Sequence, residues 1–198
     1  MYRVRIPFKI IARHNSSLVD FYKLFPKTFP KGSPPNSLFS VDLKQLRKEF
    51  RLLQSTNHPD LNRIKDETAG DLSSLLNNAY TVLSSPLKRS QYLLKKNANI
   101  DLNDDAVNKK FQFQDQSVLM EILNVHEDLE DIQSEQELAK LEQENDERIE
   151  KSIAKLEELY KTEDYEAIAL ETVKLKFWEN IKNALKEWEA GKPVNLTH

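Results

Sequence analysis

Apolar positions recur along most of this chain at intervals of three and four residues, the period of an amphipathic helix. Leu43, Leu46, Phe50 and Leu53 make one such stripe, and Ser40 stands where a cap belongs, so the pattern predicts a helix from about Val41 to Thr56. Its other face carries Lys44, Arg47, Lys48 and Arg51. The rhythm stops at His58-Pro59-Asp60, because proline lacks an amide proton and disfavours helix in the residue before it. A second stripe, Leu72, Leu75/Leu76, Ala79/Tyr80 and Leu83, predicts a helix from about Lys65 to Ser84. Ser85-Pro86 ends it, and Pro86 suits the first turn of the next segment, PLKRSQYLLKK. Two helices of similar length joined by a short loop form an αα-hairpin with facing stripes buried. A short helix from Ser17 to Phe25, opened by a serine cap, is expected ahead of them, stopping before the proline-rich stretch PKTFPKGSPPNS.

Residues 97–116 are rich in Asn, Asp and Gln and show little rhythm, which marks a connector. Three helical segments follow, at about 117–132, 134–161 and 163–189, the last expected to run towards Gly191 and Pro193. Short connections between long helices make an antiparallel bundle. The first of these segments, SVLMEILNVHEDLED, has more apolar surface than a bundle helix needs. Val118, Ile122, Val125 and Leu129 suffice for the core. Leu119 and Leu123 form a second stripe about 100° around, with Met120 beside it. Surplus apolar surface marks an interaction patch; the alternative is that Leu119, Leu123 and Phe177 are ordinary core. Trp178 and Trp188 are expected in the core, and His126 is expected to be structural or solvated.

Composition narrows the chemistry. Three glycines in 198 residues favour an all-α fold, since sheets need turns and turns draw on glycine. The absence of cysteine excludes disulfides, thiolate metal sites and cysteine nucleophiles, and the four histidines are scattered, so no metal and no cofactor is expected. No apolar run approaches the length of a membrane span. Charge is split: residues 1–96 hold 17 Lys/Arg against 7 Asp/Glu, and residues 97–198 hold 12 against 25, which suggests two modules meeting different partners. The acidic run around 127–150 is read as a solvated face. Residues 1–16 are basic, free of acids and contain serine, the profile of a mitochondrial transit segment.

His58 and Asp60 flank a proline and cannot easily bond to each other as base and orienting carboxylate. No nucleophile stands nearby and no glycine-rich phosphate loop exists, so the chain is not expected to be an enzyme. Two readings of the tripeptide stay open: helix punctuation, or a rigid turn that presents His58 and Asp60 to a partner.

The residues around it resemble a J domain of the DnaJ type. A basic amphipathic helix precedes His-Pro-Asp, Leu-Asn-Asn-Ala-Tyr-Thr-Val-Leu at 76–83 lies on the helix after it, and Pro86-Leu87-Lys88-Arg89-Ser90-Gln91-Tyr92 is similar to the family's Lys-Arg…Tyr segment. "FYKLFPKTFP" with "SPLKRSQYLL" narrows the resemblance to the mitochondrial HscB-type J-proteins of iron–sulfur cluster assembly, of the fungal type without a zinc module. That resemblance implies an L-shaped all-α protein: a J domain over 17–97, a linker over 98–116, and an antiparallel three-helix bundle over 117–198 that binds a scaffold. It implies a co-chaperone in the mitochondrial matrix, with a DnaK-type chaperone ATPase and an IscU-like cluster scaffold as partners, and with neither nucleic acid nor membrane among them. His58, Pro59 and Asp60, with Lys44, Arg47, Lys48 and Arg51, would face the chaperone. Val118, Leu119, Leu123, Asn124, Glu127, Asp128 and Phe177 would face the scaffold. Two positions depart from the pattern: Glu121 stands where a base is expected, and Phe177 where a tyrosine is expected. A J-protein with another client, or a helical adaptor, are the competing readings.

Overall fold

The computed structural model describes residues 19–56, 67–112 and 116–189. The expected transit segment and His58-Pro59-Asp60 lie outside these residues. Among the described residues the chain is helical, with no strand: α1 Phe21–Leu24, α2 Leu43–Thr56, α3 Glu67–Ser84, α4 Pro86–Ala98, α5 Asp105–Gln112, α6 Gln116–Glu130, α7 Glu135–Thr162 and α8 Tyr165–Lys186.

Helix starts are decided by carboxylates more often than by serines. Asp20, not a serine, caps α1 by accepting from Tyr22 N. At α2, Asp42 accepts from Lys44 N and Gln45 N at 2.9 and 3.0 Å, while Ser40, expected as the cap, donates its amide to Glu157 at 2.6 Å. A carboxylate at this end also meets the positive pole of the helix dipole. Ser85 does cap α4, with Pro86 in the first turn. Ser134 and Glu137 form a reciprocal capping box on α7. The last helix stops at Lys186, where the Glu187 amide closes back on the final turn, so Trp188 lies half-buried beyond it and not in the core as expected.

The polar stretch expected as a connector holds α5. Asp104 accepts from Ala106 N and Val107 N, and Phe111 turns inward to 5 % exposure on α8, with Leu102 buried nearby. On α5 itself only Val107 and Phe111, four residues apart, pack on the core, too short a run in a polar background to stand out as a period.

One apolar core runs through both halves of the chain. Tyr22, Phe25, Phe39, Leu46, Leu76, Ala79, Leu83, Leu93 and Leu94 from the N-terminal half meet Leu156, Tyr160, Ile168, Val173 and Leu175 of α7 and α8. A second cluster joins Ile122, Val125 and Leu129 of α6 to Leu141 of α7 and Trp178, Ile181 and Leu185 of α8. Helix α8 is therefore buried on more than one side, packed against α7, α4, α5 and α6.

Polar groups sealed in this core tie the halves together. Ser90 Oγ on α4 lies 2.6 Å from Thr172 Oγ1 and 2.9 Å from Tyr160 Oη. Thr172 donates to the Ile168 carbonyl, and Tyr160 reaches the Ser90 carbonyl at 3.2 Å. With Tyr160 donating to Ser90 and Ser90 to Thr172, every hydroxyl donates once. Beside them, Arg89 stacks over Phe39 at 4.6 Å, and Phe39 stacks on Tyr160 at 4.7 Å. Burial pulls the Arg89 guanidinium below its ordinary value, against the pull of Tyr22, Tyr160 and Glu157. Glu157 accepts from Phe39 N and Ser40 N; burial pushes its carboxyl up, but these bonds and Lys161 outweigh that and leave it below its usual value.

Glu49, 4 % exposed on α2, accepts from Lys27 N at 2.9 Å and from both the amide and hydroxyl of Thr28 at 2.7 Å. It fixes the loop after α1 onto the hairpin. Glu49→Ala removes three charge-assisted bonds and leaves their donors without partners, so we expect about 3 kcal/mol of lost stability. Urea unfolding monitored by circular dichroism measures it, with Glu49→Gln losing less.

Candidate functional site

Two exposed helix faces carry the residues singled out in the sequence. On α2, Leu46 is fully buried, and Phe50 and Leu53 pack on the core. That choice of buried side leaves Lys44, Arg47, Lys48 and Arg51 in solvent together. Leu43 does not join the core stripe as expected: the buried side runs from Phe50 through Leu46 and Leu53 to Glu49, and Leu43, at the edge away from Glu49, is 52 % exposed. Phe50 stacks on Tyr80 of α3 at 4.3 Å, and the Tyr80 hydroxyl accepts from Arg47 Nε at 3.5 Å. This bond raises the Arg47 pKa and orients one guanidinium of the cationic face. At the end of α2, Gln54 donates to Ser73 O and Asn77 Oδ1 and accepts from Ser73 Oγ. The helices that flank residues 57–66 are thus clamped to each other. Among the described residues, the cations expected to face a chaperone share one surface; His58, Pro59 and Asp60 are outside the description.

On α6, the split into two stripes is observed. Ile122, Val125 and Leu129 are buried and Val118 packs against them. Leu123 is 54 % exposed, Leu119 is half-buried, and Asn124, Glu127 and Asp128 are in solvent. Met120, 59 % exposed, is the apolar residue the site prediction omitted, although its place beside the second stripe was visible in the sequence. Phe177 is half-buried and packs on both apolar clusters. With Val118, Phe111, Leu159 and Leu170 it lines a groove of about 310 Å³. Phe177 and Val118 therefore meet at a groove, while Leu119, Leu123 and the polar residues stand on the open face of α6.

Glu121 has a structural account. Its carboxylate takes Lys174 Nζ of α8 at 2.9 Å and Arg148 Nε of α7 at 3.9 Å, and both cations lie 5.7 Å from the Trp178 ring centre. An acid here pins α6 to the other two helices, and the positive charge it faces resides on α7 and α8. Neither partner was legible in the sequence, since nothing in the spacing brings residues 121, 148 and 174 together. No group of acids and histidines suited to a metal ion is present among the described residues. No described helix is long and apolar enough to cross a membrane.

Comparison with known proteins matches both halves. Residues 39–92 fit the DnaJ domain, and residues 114–186 fit the family described as the HSCB C-terminal oligomerisation domain. The chain is 40% identical over 178 residues to the mitochondrial J-type co-chaperone JAC1 of Saccharomyces cerevisiae, covering 90% of this chain and 93% of that protein. It is 26% identical over 156 residues to the iron–sulfur cluster co-chaperone protein HscB of Homo sapiens, covering 76% and 64% respectively. The solved structure of the Jac1 co-chaperone from Saccharomyces cerevisiae (5-182 clone) superposes with a TM-score of 0.76 at 40% identity, covering 90% of this chain and 99% of that one.

Glu121→Lys replaces two attractions by repulsion among three cations. The side chain is partly solvated, so the expected loss is about 1 kcal/mol, a fall of roughly 2–4 °C in melting temperature for a chain of this size. Differential scanning calorimetry measures it, and a double change with Lys174→Glu recovers part of the loss.

Proposed function

Since the chain belongs to the HscB family of J-type co-chaperones for iron–sulfur cluster biogenesis, we propose that it delivers a cluster scaffold protein to a DnaK-type chaperone and stimulates that chaperone's ATPase. The observation that carries this reading is the pairing of a cationic face on α2 with an exposed apolar stripe on α6, on two apolar clusters that both extend through α7 and α8.

Each face has the physics its role requires. Lys44, Arg47, Lys48 and Arg51 attract an acidic surface from a distance, accelerating encounter. His58, Pro59 and Asp60 follow six residues after Leu52, in the connection between α2 and α3; the proline restricts the backbone there, so directional bonds from His58 and Asp60 cost little ordering entropy. They act on the chaperone's hydrolysis, with no bond made or broken on this chain. Leu119 and Leu123, with Val118 and Phe177, offer the scaffold an apolar surface, and Asn124, Glu127 and Asp128 supply polar contacts beside it. The cluster is cargo: this chain has no cysteine to ligate it, so its ligands belong to the scaffold.

Because the two faces are carried on clusters joined through α7 and α8, a bound scaffold is held near a bound chaperone at high effective concentration. The basic, acid-free start of the sequence and the mitochondrial relatives support a mitochondrial location, and we place the reaction in the matrix.

Single-turnover hydrolysis by a mitochondrial DnaK-type chaperone tests the first half. Wild type is expected to accelerate hydrolysis and His58→Gln to lose at least about tenfold of that stimulation; an inactive wild type refutes the reading. For the second half, Leu119→Ser/Leu123→Ser/Phe177→Ser is expected to lose scaffold capture in a pull-down while keeping its stimulation of the chaperone. Undiminished capture would place the scaffold elsewhere.

A further inference from the structure

Six large apolar side chains are exposed among the described residues: Val19, Leu38, Leu43, Leu52, Met120 and Leu123. Met120 and Leu123 lie on the α6 face assigned to the scaffold. Leu43 and Leu52, at 52 % and 48 % exposure, lie on α2. Exposed apolar groups thus gather on the two helices assigned to partners, and a single exposed leucine would mean nothing where a pattern does.

Their placement on α2 is specific. At about 100° per residue, Arg47, Arg51, Lys44 and Lys48 span a sector of about 100°. Leu52 falls about 40° beyond the Lys48 border and Leu43 about 40° beyond the Arg47 border, roughly 13 Å apart along the axis. The core side, with Leu46, Glu49, Phe50 and Leu53, points the other way. Two leucines therefore bracket the cationic strip, one at each end of the helix, and Leu52 stands at the end that leads to His58.

We propose that Leu43 and Leu52 are contact residues of the chaperone-docking face, and that the surface they meet is an acidic patch flanked by apolar groups on the DnaK-type chaperone. The proposal rests on the co-chaperone reading and adds a second chemistry to it. Charge brings the partners together and weakens with salt; the leucines exclude water around the charged contacts and are insensitive to salt. Charge complementarity fixes the occupant as acidic, and the flanking leucines state what must border its acids.

Leu43→Lys/Leu52→Lys separates this from docking by charge alone, because the two predict opposite signs. The double variant is expected to raise the concentration for half-maximal ATPase stimulation about tenfold at low salt, and to abolish the stimulation that wild type keeps at about 0.5 M salt. Charge-only docking predicts that two added cations lower that concentration. A lowered or unchanged value overturns the proposal. The uncharged Leu43→Ser/Leu52→Ser is expected to weaken stimulation several-fold, and an unchanged value for it is equally fatal. Leu38→Ser, an exposed leucine off the helix, is expected to match wild type. Intact scaffold capture by each variant shows that it is folded. A wild type that fails to stimulate the chaperone refutes the co-chaperone reading itself, a result distinct from stimulation that ignores Leu43 and Leu52.

Discussion

The hydroxyls of Ser90, Tyr160 and Thr172 are sealed inside the protein, where their partners are one another and the carbonyls of Ser90 and Ile168. An unpaired buried hydroxyl costs about 1–3 kcal/mol, so sliding α4 against α7 and α8 loses several bonds at once. The apolar contacts around them, Leu93 and Leu94 against the bundle, would tolerate a shift; the hydroxyl chain does not. Arg89 and Phe39 repeat the constraint beside it: a guanidinium stacked on a ring that is itself stacked on Tyr160 has one workable geometry. This junction makes two modules into one body and places the α2 and α6 faces at a fixed separation.

The motif that carries the family resemblance contributes to this junction. Within Pro86–Tyr92, Pro86 starts α4, Arg89 donates to the Leu83 carbonyl, Ser90 enters the hydroxyl chain, and Tyr92 stacks on Phe21 at 4.6 Å while donating to Val19 O. Arg89, Ser90 and Tyr92 are turned towards the core and α1, while Lys88 stands in solvent. The faces proposed for partners are what remains outside after packing: on α2 and α6 alike, the buried stripe decides which residues stay in solvent.

Some of this was legible beforehand and some was not, for physical reasons. The two stripes of α6 separated correctly because helical spacing alone distinguishes Ile122, Val125 and Leu129 from Leu119 and Leu123. On α2 the same reasoning misassigned Leu43. The buried side of α2 extends instead to Glu49 on the opposite flank of the stripe, and burial of that carboxylate depends on the three donors at Lys27 and Thr28, far away in sequence. Helix α5 escaped notice because it is eight residues long and only Val107 and Phe111 of it pack on the core, one spacing of four in a polar stretch. Glu121 looked like a flaw in an interface until Lys174 and Arg148 appeared beside it.

Local periodicity, punctuation by proline and the distribution of charge are properties of neighbours along the chain. They determined the helices, the all-α class, the cationic face of α2 and the surplus stripe of α6. Which polar groups are buried, which carboxylate caps or clamps, and how the two halves meet depend on residues 20 to 120 positions apart. Those pairings have no local signature: Ser90 with Thr172, Glu157 with Ser40 and Glu49 with Thr28 are chosen only when the folded chain removes water and leaves each donor one acceptor. The sequence determined what the faces are made of; the tertiary structure decided how they are held.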